Sequence, residues 1–354
     1  MAKERVVVGM SGGVDSSVAA YLLKEAGYDV VGVTMQIWQK EDDDTVSANG
    51  GCCGQSAVED AARVASRIGI PHYVMNFRDE FQEKVIQYFM DEYLAGRTPN
   101  PCIACNRYVK WESLLQRSLQ IGADYIATGH YARIAKLPNG RFAIQRSATA
   151  AKDQTYALYN LTQDQLSHTL MPVGDYEKGR IRQIAEEIGL PVAHKPDSME
   201  ICFIPDKDYI GWLSRRTEMP PPGDFVFHGQ VVGQHEGIHR YTVGQRRPGL
   251  LNERKVYVSR IDPGSDTIEL ALWEELFKTE VHARNFNWLT DPPAGPIRAS
   301  VRVRHTKWEN PPGTVWTEGS GVKILCDEPV RAPAAGQSAV LYDGDRLLGG
   351  GFIL

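Results

Sequence analysis

The sequence predicts an α/β protein with an N-terminal doubly wound parallel sheet, a small linking domain and a C-terminal β-barrel. Between residues 5 and 134, short apolar runs rich in β-branched residues alternate with amphipathic helical segments, which is typical of a parallel sheet covered by helices. Beyond Pro205, Pro- and Gly-rich stretches separate short β-like runs, as in small barrels. We therefore expect domains at 1–205, 206–275 and 276–354.

Each N-terminal element has its own signal in the sequence. The predicted strands are short and apolar, and the predicted helices end near glycine or proline. The expected elements, in order, are the strand Arg5–Met10, a helix ending near Gly27, the strand Asp29–Ile37, the helix Ser56–Gly69, a strand over HYVMNF, the helix Asp79–Ala95 and a strand over ADYIATGHYARI. Two long loops, Gln39–Gly54 and Gly96–Arg107, interrupt this alternation, and loops of this length are usually functional or disordered.

The composition limits the classes of partner and compartment. The formal net charge of −5 over 354 residues is a mild argument against nucleic acid, although net charge conceals local patches. Neither a signal peptide nor an apolar run long enough to span a membrane is present, so we expect a cytoplasmic protein. Its cysteines should then be reduced thiols rather than a disulfide framework. They are Cys52, Cys53, Cys102, Cys105, Cys202 and Cys326.

The string SGGVDSS, residues 11–17, lies between the first predicted strand and the first predicted helix. Its two glycines let the backbone approach an anion closely, and the N-terminus of the helix favours a phosphate. The string is neither a Walker A loop nor a G-x-G-x-x-G fingerprint. An ordinary glycine turn with Asp15 as a helix cap is the alternative, but the position of the full string favours phosphate binding.

SGGVDSS resembles the PP-loop of the ATP pyrophosphatases, which cleave ATP to AMP and pyrophosphate. The resemblance implies that ATP binds with Mg²⁺, for which Asp15 is the nearest oxygen ligand. It also implies contacts at two later strand ends, Met35 and Gly129. The expected ATP-binding residues around the loop are Gly9, Met10, Ser11, Gly12, Gly13, Val14, Asp15 and Ser16.

Four further strings narrow the resemblance. They are TGHYAR (128–133), KDQTY (152–156), NPCIACNRYVKW (100–111) and DSMEICFIP (197–205). Together they are similar to the tRNA-specific 2-thiouridylase family, and the similarity extends over nearly the whole chain. It implies an AMP-forming tRNA sulfurtransferase that replaces the C2 oxygen of the wobble uridine (U34) with sulfur. The implied partners are the anticodon stem-loop of tRNA and a protein sulfur donor, such as a cysteine desulfurase or a sulfur-relay carrier.

The family resemblance also assigns roles to cysteines. Cys105 would be the nucleophile and Cys202 the persulfide carrier. By thiol chemistry the second cysteine either reduces the persulfide, which releases sulfide and leaves a disulfide, or assists the attack. Cys102 stands where the family pattern often has an aspartate, so an acid/base role there is in doubt. The resulting C-x-x-C, together with Cys202, could instead offer three thiolates to an iron–sulfur cluster. Cys102 is thus an acid/base substitute, a cluster ligand or a bystander.

RNA contacts are expected at three places. Asn100, Pro101 and Cys102 would flank the target base, which must leave its stack to react. The loop residues Lys152, Asp153 and Gln154 would contact RNA nearby. A basic face over Arg302, Arg304, His305 and Lys307, and a second patch at Arg246 and Arg247, would bind the backbone. Any one of these charges alone would be ordinary solvated surface.

Two other functions explain part of the sequence. A small-molecule PP-loop ligase would account for SGGVDSS, but it leaves Cys105, Cys202 and the β-rich C-terminal part without a role. A non-enzymatic RNA-binding module would account for the basic patches, but it gives no reason for an intact SGGVDSS.

Overall fold

The computed structural model describes residues 3–38, 55–197, 201–204, 206–250, 254–305 and 311–354. The predicted loop over 39–54, with Cys52 and Cys53, and the predicted contact Lys307 lie outside these residues. The chain divides into two compact units, residues 1–86 with 102–208 and residues 87–101 with 209–354.

The elements up to residue 187 include both strands and helices. In chain order they are β1 (Arg5–Gly9), α1 (Val14–Glu25), β2 (Asp29–Gln36), α2 (Gln55–Ile68), β3 (His72–Asn76), α3 (Arg78–Phe81), a π-helical stretch (Gln82–Ile86), α4 (Gln87–Leu94), α5 (Pro101–Ala104), a second π-helical stretch (Cys105–Leu114), α6 (Leu115–Gln120), β4 (Tyr125–Ala127), β5 (Ala132–Lys136), β6 (Phe142–Arg146), α7 (Gln163–Ser167), β7 (Thr169–Leu170) and α8 (Lys178–Glu187).

The elements after residue 208 are mostly strands. They are α9 (Tyr209–Ser214), β8 (Gly223–Phe227), β9 (Gln230–His235), β10 (Arg246–Arg247), β11 (Val256–Asp262), β12 (Thr267–Ala271), β13 (Phe277–Trp288), β14 (Ile297–Arg302), β15 (Pro312–Glu318), β16 (Gly321–Arg331), β17 (Ser338–Asp343) and β18 (Arg346–Ile353).

The first unit is built on a parallel sheet, as predicted. Its strand order is β3-β2-β1-β4-β7, and β1 pairs in parallel with both β2 and β4. The β-branched residues Val6 and Val8 are fully buried and pack against apolar residues of α1, α2 and α8. The loop that follows β1 therefore lies at the carboxyl edge of the sheet, where ligands bind in this class of fold.

The predicted strand over ADYIATGHYARI is two strands. Only β4 belongs to the parallel sheet, whereas β5 forms an antiparallel hairpin with β6. The chain turns between them, where the Thr128 hydroxyl and His130 Nδ1 lie 2.7 Å apart and the Ala132 N–H donates to His130 O at 3.1 Å. This polar turn ends the apolar run that the sequence suggested was continuous.

The predicted loop Gly96–Arg107 is partly helical, so that expectation was wrong for its second half. The chain is helical from Pro101 through Gln120, because a proline is well tolerated in the first turn of a helix, where its missing N–H has no acceptor. Cys102 and Cys105 consequently lie in the first turns of a helix. The π-helical geometry that begins at Cys105 is rare and is frequently found at functional sites.

The second unit contains two β structures. One is a five-stranded sheet with the order β10-β11-β12-β8-β9. The other is a six-stranded barrel with the order β13-β16-β15-β14-β17-β18, which closes where β13 pairs with β18. The predicted C-terminal barrel is therefore confirmed. Among the described residues, no helix is long and apolar enough to cross a membrane.

Candidate active site

The loop between β1 and α1 has the geometry of an anion cradle. Gly12 has a φ of +68°, and a Cβ on it would lie 2.4 Å from the carbonyl oxygen of Ala57, so only glycine fits there. A hydrogen bond inside the loop holds its conformation, because the Ser11 N–H donates to the Ser16 hydroxyl at 3.2 Å. The first amides of α1 have no acceptor within the helix, and they are available to a phosphate.

Gly129 packs directly against the start of α1. A Cβ on it would lie 2.6 Å from Ser16 N and 2.7 Å from the carbonyl carbon of Asp15. The structure thus brings TGHYAR and SGGVDSS together, as the ATP prediction requires. Met35 is half-buried near the end of β2. Met10 is buried, and its backbone N–H and C=O both bond to β2.

The carboxylate of Asp15 is bound by two side chains. Lys178 Nζ donates to its two oxygens at 2.7 and 2.8 Å, and the Tyr131 hydroxyl donates to it at 2.7 Å. Burial, and then the bond to Asp15, raise the pKa of Tyr131 well above its usual value, so this hydroxyl keeps its proton. The sequence predicted Asp15 as a Mg²⁺ ligand, but here an ammonium group neutralises it.

Asp197, which lies five residues before Cys202, forms ion pairs with three cations. Its carboxylate lies 2.8 Å from Lys152 Nζ, 2.9 Å from Lys178 Nζ and 2.9 Å from Arg182 Nη2. Burial alone would raise the pKa of Asp197, but the hydrogen bonds from Lys152 and Lys178 outweigh it and lower the pKa from 3.8 to about 2. Asp197 is therefore a permanent anion that links α8 to the turn that carries Lys152.

Lys195 is a second cation on the loop itself. Its Nζ donates to Gly12 O at 3.1 Å and to Asp60 Oδ2 at 2.7 Å. Lys195 and Lys178 thus each bond directly to a residue of SGGVDSS from segments far away in the sequence. This convergence places two ammonium groups beside the cradle, where a polyphosphate would need N–H donors.

The turn that follows Lys152 is a structural element. Asp153 is buried, and its carboxylate accepts a hydrogen bond from the Thr155 hydroxyl at 2.7 Å. The Gln154 side-chain oxygen accepts from the Tyr131 N–H at 2.9 Å. The carboxylate of Asp153 is therefore bound within the protein, and the predicted RNA contact at this residue stays a prediction. Gln154 positions Tyr131, which in turn binds Asp15.

Cys102 and Cys105 are three residues apart on one helix and so share a face. Cys102 is exposed and Cys105 is half-buried. Cys102 lies in the first turn, where the N-terminus of a helix favours negative charge, whereas Cys105 lies one turn further along. Neither cysteine is part of a disulfide.

Cys202 lies in a turn. The Ile204 N–H donates to Ile201 O at 3.0 Å, which closes the turn around Cys202 and Phe203. The ring of Phe203 packs edge-on against Phe81 at 5.6 Å between centroids, and Ile204 is buried. Two apolar anchors thus hold the half-buried thiol of Cys202 in a defined place at the surface of its unit.

His130 is an uncharged neighbour of the cysteine-bearing helix. Its ring lies 5.6 Å from the ring of Trp111, on the same helical run as Cys105. Burial, and then the nearby charge of Lys110, lower the pKa of His130 well below its usual value. A neutral imidazole therefore stands beside Gly129 at physiological pH.

The predicted RNA residues of the second unit have different environments. Pro101 is buried and Asn100 is half-buried. Arg304 was predicted to contact RNA, but its Nη2 donates to Val243 O at 2.7 Å and to Ala332 O at 2.6 Å. That nitrogen therefore crosslinks two backbone segments rather than facing a ligand, while His305 is exposed.

Family models match three consecutive parts of the chain. Residues 4–206 match the tRNA methyl transferase HUP domain, residues 213–271 the tRNA methyl transferase PRC-barrel domain, and residues 278–353 the aminomethyltransferase β-barrel domain. A curated relative from Lachnoclostridium phytofermentans, a tRNA-specific 2-thiouridylase MnmA, is 57% identical over 99% of both chains. The chain belongs to the tRNA-specific 2-thiouridylase MnmA family. A family member from Clostridioides difficile is 52% identical over 99% of this chain and 98% of its own.

The solved structures that match are more distant. An NMN synthetase from Francisella tularensis has a TM-score of 0.34 and 16% identity, and covers 56% of this chain and 67% of its own. The assignment to the MnmA family therefore depends on the curated relatives and the family models.

The sequence did not identify three cations of the site, Lys178, Arg182 and Lys195. One signal was present: Lys178 opens α8, where the helix dipole disfavours a positive charge. A lysine in that position needs an external anion, and the structure supplies two, Asp15 and Asp197.

The donor set suits ATP better than a metal. The glycine loop and the two loop-bound lysines offer backbone amides and ammonium groups, which are the donors that bind a polyphosphate. Among the residues that the structure describes, no three His, Cys, Asp or Glu side chains are placed to hold a metal ion. The predicted iron–sulfur ligands Cys102, Cys105 and Cys202 gain no support from this arrangement, and any Mg²⁺ at Asp15 would have to displace Lys178.

Proposed function

We propose that the chain is an AMP-forming tRNA-uridine 2-sulfurtransferase acting on the wobble uridine. The observation that carries this proposal is the set of ion pairs that Asp197 forms. Its carboxylate pairs with Lys178, which also binds Asp15 of SGGVDSS, and it lies five residues before Cys202 in the sequence. One unit thus holds both a polyphosphate cradle and a surface thiol. The names of the relatives, tRNA-specific 2-thiouridylases, supply the substrate.

The first chemical step uses the cradle. The C2 carbonyl oxygen of uridine attacks the α-phosphorus of ATP, pyrophosphate leaves, and an O-adenylate forms. The amides at the start of α1 and the ammonium groups of Lys178 and Lys195 stabilise the charge that develops on the pyrophosphate. Gly12 and Gly129 let the loop pack closely against its neighbours, since side chains at either position would collide with protein backbone.

The second step exchanges oxygen for sulfur. The terminal sulfur of a persulfide on Cys202 attacks C2, loses its proton to solvent, and AMP leaves with the uridine oxygen. The Cys105 thiolate then attacks the Cys202 sulfur, which releases the 2-thiouridine and leaves a Cys105–Cys202 disulfide. An external dithiol reduces that disulfide, and a protein sulfur donor restores the persulfide.

The test is a reconstituted reaction. The protein is incubated with ATP and Mg²⁺, unmodified tRNA, a protein persulfide donor and dithiothreitol, and AMP, pyrophosphate and 2-thiouridine are quantified. We expect the three products in equal amounts. ATP cleavage that needs no tRNA and yields no thiolated nucleoside would instead indicate a small-molecule ligase.

Cysteine variants separate the roles. Cys202→Ser should abolish 2-thiouridine formation, and full activity in this variant would refute the carrier assignment. With dithiothreitol omitted, Cys105→Ser should accumulate a tRNA adduct joined to Cys202 through a disulfide. Cys326→Ala is the control: its thiol is buried in the barrel core, so we expect lower stability and unchanged thiolation.

A further inference from the structure

The second unit contains a polar cavity that none of the steps above uses. Its volume is about 460 Å³, and it lies beside the five-stranded sheet. Basic and amide side chains dominate the lining, and one aromatic residue contributes. The lining residues that matter here are Gln234, Glu236, Arg240, Tyr241, Gln245 and Arg247.

The guanidinium group of Arg247 packs against two aromatic rings and, among the described residues, is not paired with a carboxylate. Its guanidinium carbon lies 4.9 Å from the ring of Tyr241 and 5.2 Å from the ring of Phe225, which fixes the plane of the group. Its Nε is buried without a hydrogen-bond partner, and within the described part of the chain no acidic side chain forms an ion pair with it. Such a guanidinium is pre-organised to bind an anion with two parallel N–H bonds.

Arg240 supplies a second cation to the same cavity. Its Nη1 pairs with Glu236 at 2.8 Å, while its Nε is buried and has no hydrogen-bond partner. The Glu236 side chain is 76% exposed, so an incoming anion could displace it into water at low cost.

The histidine of the cavity adds no charge. His235 Nδ1 accepts the Gly237 N–H at 3.1 Å, and Nε2 therefore donates to Asp266 O at 2.9 Å. Burial also lowers the pKa of His235 below its usual value. The ligand that this lining selects is consequently an anion, recognised by Arg240 and Arg247 and by the amides of Gln234 and Gln245.

We propose that this cavity binds a backbone phosphate of the tRNA substrate, so that Arg247 and Arg240 position the RNA without taking part in the chemistry. The inference depends on the proposed function, because it takes RNA as the substrate. A phosphodiester fits the observations, since the two guanidinium groups are paired with at most one carboxylate and Tyr241 is too buried to stack on a base.

The test uses two neighbouring arginines of β10. Arg246 is exposed and Arg247 is half-buried at the cavity, because successive residues of a strand face opposite ways. Arg247→Ala and Arg246→Ala therefore remove the same charge from adjacent positions. The dissociation constant of unmodified tRNA is measured for both variants over a series of salt concentrations. We expect Arg247→Ala to weaken binding about tenfold and to reduce the salt slope by about one, and Arg246→Ala to stay within about twofold of the native protein.

Three further variants keep the result interpretable. Arg247→Lys should retain the salt slope but bind tRNA about threefold more weakly, because lysine keeps the charge but lacks the two parallel N–H donors of the guanidinium group. Arg240→Ala should weaken binding without disturbing the Phe225 stack. Glu236→Gln should bind tRNA more tightly than the native protein, since it frees Arg240 and removes a repelling charge.

The turnover rate at saturating tRNA distinguishes failure of this inference from failure of the proposed function. It should be unchanged in all these variants, whereas a native protein that never forms 2-thiouridine would refute the sulfurtransferase proposal itself. Equal tRNA affinities of the Arg246→Ala and Arg247→Ala variants would overturn the cavity assignment. Calorimetry with inorganic phosphate tests whether the ligand is free phosphate instead of tRNA. If Arg247→Ala abolishes phosphate binding but leaves the tRNA affinity unchanged, the assignment of the cavity to tRNA is also overturned.

Discussion

The charged residues beside the PP-loop and those on the outside of the barrel make the same kinds of bond in different surroundings. At the loop, Lys178 is 14% exposed and shared between two carboxylates, Asp15 and Asp197. On the barrel, Arg298 is 56% exposed and pairs with Asp327 alone. Exposed one-to-one pairs contribute little to stability, whereas a shielded and shared cation is strongly coupled to its neighbours. The comparison teaches that function should depend on the loop network and barely on the barrel pairs.

The largest expected effect is at the backbone of the cradle. Gly12→Ala combines a strained φ with a Cβ placed against Ala57 O, so the loop must distort. We expect AMP formation to fall about a hundredfold or more, measured as tRNA-dependent ATP cleavage. Gly27→Ala is the control, since Gly27 also has a positive φ but no neighbouring atom within 4 Å. Equal losses in the two variants would mean that backbone strain alone, and not the cradle, is responsible.

The next effect concerns the shared cation. Lys178→Met keeps the length of the side chain and removes the charge, so we expect pyrophosphate release to slow at least about tenfold. Arg180→Met provides the comparison on the same helix, because Arg180 forms an exposed pair with Glu187. Steady-state kinetics with varied ATP would show the difference, and similar values for both variants would contradict the role of Lys178.

A smaller effect follows from the depressed pKa of Asp197. A carboxyl group with a lowered pKa stabilises the fold above its unfolded pKa, near 3.8, and this contribution is lost as the pH falls towards about 2. The melting temperature of the native protein should therefore fall more steeply between these pH values than that of Asp197→Asn. Thermal denaturation followed by circular dichroism measures both slopes, and parallel slopes would show that the three cations do not stabilise the anion.

The smallest effect is expected on the barrel. Arg298→Ala removes an exposed pair with Asp327, and solvent screens such a pair. Its melting temperature should stay within about 2 °C of the native value, with unchanged thiolation. A loss of activity comparable to that of Lys178→Met would remove the distinction between the two regions.

The sequence predicted the parts of the molecule that depend on local signals. The first strand, the glycine loop and the barrel follow from apolar patterns and turn residues, and the proximity of Gly129 to the loop follows from the family resemblance. The contacts of Lys178 and Lys195 were not predictable, because each joins the loop to a segment more than 160 residues away. The helix at Cys105 was missed because the two prolines in TPNPC favour a turn, whereas the second of them, Pro101, begins the helix.

Two of the residues predicted to contact RNA bond to other parts of the protein in this structure. Asp153 and Arg304 lie in motifs in which neighbouring residues are also predicted to contact RNA, so their charges suggested that they bind RNA too. Both side chains instead bind polar groups of the protein itself. A sequence shows the charge of a residue but not which way its side chain faces.

The central claim is that ATP activates the C2 oxygen of uridine before sulfur replaces it. The most direct measurement uses an anticodon stem-loop whose wobble uridine carries a heavy-oxygen label at C2. After one turnover with ATP and the persulfide-loaded protein, mass spectrometry of the nucleotide products should find the label in the phosphate of AMP. A 2-thiouridine product with unlabelled AMP, and the label in water instead, would contradict the adenylate and with it the account of the cradle.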